Sequence, residues 1–164
     1  MVKVGKKALA SAIEKSRKIS LQEKEFIVVN IQKKQPHLLA SVLVLQRFGC
    51  SLEQIDVLLH ILLVCHVALV ESGVDLIQVS EDEQDKQMTK LINIIKLNEK
   101  LNIKEQQRSM DKYIDSHPER LLLAFAYSEM SEAGFLKLTH ENSKYLIAAG
   151  LNLINCIEAA SVEQ

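Results

Sequence analysis

Apolar residues recur along most of this chain at spacings of three and four, the stripe left by helices that bury one side. No stretch alternates with period two for long enough to make a strand. Leu9, Ala12, Ile13 and Ser16 carry the first stripe. Ser20 with Glu23 and Ser51 with Gln54 have capping-box spacing, in which each side chain satisfies the other residue's exposed amide. Pro36 suits the first turn of a helix, where a missing amide costs nothing, and Gly49 and Gly73 suit left-handed helix ends. Ser80, followed by Glu81, Asp82, Glu83 and Asp85, sets acids against the positive end of a helix dipole. The expected fold class is all-α with about eight helices. Their expected spans are roughly 6–18, 20–34, 36–48, 51–72, 83–101, 103–116, 118–131 and 139–160.

The pattern repeats. Shifted by about half its length, 82 residues, the chain meets itself without a gap from Leu9 to Phe48. Lys18 falls on Lys100, Glu23 on Glu105, Pro36 on Pro118 and Leu39 on Leu121. The second copy then inserts about six residues near 131–138, and the register resumes with Ser51 on Thr139, Leu58 on Leu146 and Leu63 on Leu151. The expected organisation is a tandem duplication of a four-helix unit, 1–82 and 83–164, packed around one core. Leu58, Ile61, Leu62, Val64, Leu69 and their neighbours ring nearly the whole fourth helix, which should therefore be buried on all sides or form a subunit interface.

Composition narrows the function. The chain has 164 residues, with 20 Lys and Arg against 21 Asp and Glu, a net charge of −1 that does not suit a general nucleic-acid binder. The three cysteines, Cys50, Cys65 and Cys156, have no metal-site or disulfide-framework spacing and point to a reducing, cytoplasmic setting. The basic N-terminal residues contain no continuous apolar stretch of the secretory kind. The longest apolar run, Val57 to Val70, is 14 residues, against about 20 for a bilayer span, so no membrane span is expected.

Candidate chemistry is sparse. His60, Cys65 and His66 share one helix, but at 100° per residue they diverge too far to close around one ion or form a dyad unaided. The alternative is that they are core or rim residues. There is no HExxH, Walker loop, GxGxxG or GxSxG, and no metal or cofactor is expected. Cys50, between Gly49 and the Ser51 cap, is a reactive-thiol candidate, because a helix N-terminus lowers a thiol pKa. Its alternative is a small residue in a tight turn. His117 beside Pro118 and His140 beside Thr139 read as residues of helix starts. The basic segment up to Lys24 reads as a solvated helix face.

The insertion holds Phe135, Leu136 and Leu138. They either present a contact surface for a protein partner or a second subunit, or fold back to cap the core. The leading expectation is a non-enzymatic helical interaction module, an adaptor, regulator or inhibitor, working as a homodimer through that loop. The alternative is a binder of a small apolar ligand in a pocket between the repeats, with His60, Leu62, Ala148, Ala149 and Gly150 around it. An enzyme using His60, Cys65 or His66 is the third reading.

Overall fold

A cap-to-cap reading of the chain leads directly to its helices. The computed structural model of the protein describes residues 3–137 and 141–161. Among these are eight α-helices: α1 (Lys6–Lys18), α2 (Leu21–Lys34), α3 (Pro36–Leu43), α4 (Leu52–Glu71), α5 (Glu81–Glu99), α6 (Ile103–Ser116), α7 (Arg120–Glu132) and α8 (Glu141–Ala160). Ser51 and Gln54 form the full reciprocal box at 3.2 and 2.9 Å. The Ser20 and Ser80 hydroxyls accept from the amides three residues on. Asn102 and Glu105 form a second full box that opens α6.

Several helix ends differ from expectation, and α5 runs two residues earlier at both ends. The third helix tightens into a 3-10 turn over Val44–Phe48 before Gly49, at φ 83°, ends it. Pro118 lies in a turn before α7 and not at its first helical position, where Pro36 lies in α3.

The core gathers on α4, which packs against α1, α2, α3, α7 and α8, while α8 also packs on α5 and α7. Buried residues from both halves belong to one hydrophobic cluster, including Leu58, Ile61, Leu122, Leu146 and Ile154. Each such side chain contributes roughly 1.5–3 kcal/mol by leaving water. α4 is not buried on every side, since Val70 is exposed and Val57, Leu59 and Val67 are half-covered. By length and composition it could cross a membrane, and half of its most apolar stretch is covered within the protein. An uninterrupted-run count overlooks this because Glu53 and Asp56 break the run without breaking the helix.

Two buried polar side chains at helix N-caps hold the extended segments that enter α1 and α5. Gln35, before α3, accepts from the Val79 amide and donates to the Ile77 carbonyl, both at 2.9 Å. Glu119, before α7, accepts from the Lys3 amide at 2.9 Å and the Val4 amide at 3.4 Å. Val4 and Val79 are each buried two residues ahead of their helix. The α4–α5 connection is also tied to the end of α8, where the Ile77 amide donates to Ala160 at 3.0 Å and Leu76 bridges Ser161.

Candidate functional site

The stripes of three helices leave one flank of the bundle unfilled. On α8, Tyr145, Ala148, Ala149 and Asn152 share a face, and the two alanines leave space that longer side chains would occupy. On α5, Met88, Ile92 and Ile95 face the same way, at the spacing of a helical stripe. Ala40, Val44, Leu45 and Phe48, on α3 and its 3-10 turn, complete the wall. They enclose a cleft of about 700 Å³ with an apolar floor, a size that suits a small organic ligand.

The two ends of the cleft differ in charge. At one end lie Glu81, Gln84, Asp85, His37 and Asn152, with His37 Nδ1 3.5 Å from a Glu81 oxygen. Gln84 Nε2 donates to the His37 carbonyl at 2.9 Å, and Asn152 Nδ2 donates to the Gln84 carbonyl at 3.3 Å. At the other end are Lys96, Glu99 and Lys144, with Lys144 and Glu99 paired at 3.2 Å. Phe48 and Tyr145 stack across the mouth, ring centroids 5.4 Å apart, and both remain exposed.

Of the residues expected to line a pocket, Ala148 and Ala149 do so. The other three lie elsewhere. His60 borders a shallow acidic groove with Asp56, Glu129 and Glu132, its ring edge-on to Phe125. Leu62 is buried beside a void of only about 20 Å³. Gly150 offers no room: a Cβ there would collide with Met130 Sδ and lie 3.2 Å from Leu58.

The loop residues separate too. Phe135 is 2% exposed and folds back onto the core, so it cannot present itself to a partner, whereas Leu136 is 43% exposed. Leu138, with Thr139 and His140, lies outside the described residues.

His60, Cys65 and His66 face different neighbours. Burial holds His60 below the ordinary imidazole range, opposed by Glu129 and reinforced by Lys24 and Arg17. His66 is lowered by burial and then by Lys34, so the surroundings of both rings favour the neutral form. Among the described residues no group of three His, Cys, Asp or Glu could hold a metal ion.

Cys50 does not stand open at its helix start. It is buried, and burial pushes its thiol up where a helix start was expected to lower it. Cys65 and Cys156 are each pushed up to about 12, by burial first and by Glu119 and Glu83 respectively. At pH 8 a thiol with that pKa is thiolate in about one molecule in ten thousand. The native protein should therefore release almost no thionitrobenzoate from a disulfide reagent while the urea-unfolded chain releases three equivalents. A rapid native equivalent that disappears in Cys50→Ser would restore Cys50 as a reactive thiol.

Sequence reasoning missed Asn152, Gln84 and His37. Met88, Ile92 and Ile95 were readable as a stripe, but nothing in the stripe says that its partner surface recedes. Compared with known protein families, curated proteins and solved structures, the chain matches none. The fold and site thus define a class by architecture: an all-α bundle with an apolar cleft along one flank.

Proposed function

We propose that this is a non-catalytic binding protein that takes a small apolar ligand into the cleft between α3, α5 and α8. The observation that carries the proposal is the cleft itself, about 700 Å³ with apolar walls drawn from both halves of the chain. Three buried, free thiols suit a reducing compartment such as the cytoplasm.

We further propose that the bundle is a tandem duplication of a four-helix unit. The pairings α1–α4, α2–α3 and α3–α4 recur as α5–α8, α6–α7 and α7–α8. The Gln35–Val79 and Glu119–Val4 clamps share a topology, each joining an N-cap of one half to the entry of the other half's first helix, although the 82-residue register sets Gln35 on His117. On this reading the cleft is where the two copies differ. α1 packs on α7, whereas its counterpart α5 meets α3 at His37, through Gln84 and Glu81, and diverges from it along the cleft. His60, Ile61 and Val64 of α4 correspond to Ala148, Ala149 and Asn152 of α8 in the repeat alignment. Smaller residues in the second copy leave the space open.

The test is native mass spectrometry of protein purified gently from its own host. A bound mass of a few hundred daltons is expected, lost on denaturation and absent from Ala149→Trp, whose indole would obstruct the middle of the cleft. Bare protein in both samples would count against the reading. The second reading, a homodimeric protein-interaction module, is favoured by Leu21, Phe26 and Val29, all exposed on α2, together with exposed Leu136. Whole multiples of 18.5 kDa, or an added protein mass, would support it in the same measurement.

A further inference from the structure

The outward side of α2 is apolar where the fold does not require it. Inward, α2 buries Ile31 and half-covers Lys24, Ile27 and Val28. The opposite side carries Gln22, Phe26, Val29 and Lys33, spaced four, three and four, which makes one straight stripe facing solvent. Phe26 is 68% exposed and Val29 50%. α6 is the matching case, another 14-residue helix opened by the same kind of cap. Its residues at the same four positions are Lys104, Arg108, Asp111 and Asp115, all exposed. A charged outer stripe therefore serves this bundle, and the apolar one on α2 marks a surface that a partner covers.

The charges beside the stripe select that partner. Glu23 and Glu25 flank its first half on either side, and Lys33 ends it. None of the three takes part in a salt bridge among the described residues. A spacing of four, three and four is also the seam of a helix pair. In a parallel pair of α2 helices each charge would meet its own copy. In an antiparallel pair, with Phe26 level with Val29 of the second copy, Lys33 comes level with Gln22 of the second copy, between Glu23 and Glu25. Both carboxylates then lie within roughly 5 Å of it along the axis, inside a lysine's reach. A twofold axis makes this contact twice.

We infer that two copies of this chain pair through α2, antiparallel about a twofold axis between Phe26 and Val29, with Lys33 of each copy on Glu23 and Glu25 of the other. This rests on the homodimer reading above and gives it a surface. It is independent of the cleft, because α2 supplies none of the cleft's lining. The contact is one helix of about 21 Å on each side. That is less than a standard interface, so the dimer should dissociate on the order of 10 µM.

Sedimentation velocity over concentrations spanning that value tests this. The wild type should pass from 18.5 kDa to twice that mass. Phe26→Arg with Val29→Asp gives α2 the outer residues that α6 carries, and should stay monomeric with unchanged helicity. Lys33→Glu should weaken the dimer about tenfold, since each end of the pair trades an attraction for a repulsion. Mixing it with Glu23→Lys/Glu25→Lys should restore a dimer, because both ends then set acid against base. Should the Phe26 and Val29 variant fail to fold, Lys33→Glu and its rescue still decide. A Lys33→Glu dimer as tight as the wild type overturns the antiparallel pairing. A dimer that Phe26→Arg with Val29→Asp leaves intact overturns the α2 surface and leaves the homodimer reading standing. A wild type that stays at 18.5 kDa throughout overturns both.

Discussion

Gly150→Leu should lower the melting temperature by roughly 5–10 °C, the consequence of about 2–3 kcal/mol of overpacking in a chain of this size. Glycine inside a helix ordinarily suggests that any side chain would be an improvement, by up to about 1 kcal/mol of helix propensity. Here the missing Cβ is what lets Met130 of α7 and Leu58 of α4 approach α8. Gly150→Ala asks the flexible thioether of Met130 to move and the Leu58 methyl to give slightly, so strain and propensity should nearly cancel. Leucine adds a branched group that α4 and α7 must both make way for. Thermal melts of the two variants beside the wild type check this. A leucine variant that melts normally and yet loses cleft ligand would show that Gly150 borders the cleft after all.

Glu119→Ala should cost about 2–3 kcal/mol and release the segment that leads into α1. The carboxylate is 2% exposed and accepts from two backbone amides, one on each oxygen. Removing it leaves those donors facing an apolar wall unless the segment peels away, and peeling exposes Val4, which is fully buried. The cheaper of these two losses sets the size of the effect. Glu119→Gln keeps one acceptor oxygen and should lose about half as much. Urea melts give the stability, and amide exchange at Lys3 and Val4 separates local release from global loss. A Glu119→Ala protein whose Val4 amide stays protected would remove Glu119 from this role.

Local chemistry was the legible part of the fold. The Ser51–Gln54 box, Gly49 and Pro36 each act within a few residues, so their geometry is written in adjacent positions. Glu119 and Gln35 carry no such mark, because their partners are more than a hundred and more than forty residues away. Ala148 and Ala149 were legible as small residues on a helix that otherwise carries bulk. Gly150 beside them was misleading for the same reason, since an absent side chain can equally mean space or close approach. Phe135 sits on the connection between α7 and α8 and still turns inward, because a large ring gains more from burial than from display. The bond from Asn152 to the Gln84 carbonyl joins helices far apart in the chain, and no sequence pattern encodes that.

The central place of α4 also has a consequence for the order in which the chain is made. Its last residue is Glu71, yet it packs against α7 and α8, and α8 ends at Ala160. At roughly 5–20 residues per second, the ribosome supplies that last partner on the order of 5–20 s after α4 is complete. Throughout that interval the nascent chain carries a 20-residue helix apolar enough to suit a bilayer, with one side still uncovered. A helix in that condition is a ready substrate for hydrophobic-segment chaperones and targeting factors. Speeding translation between α4 and α8 would shorten the exposure, and a pause placed there would lengthen it.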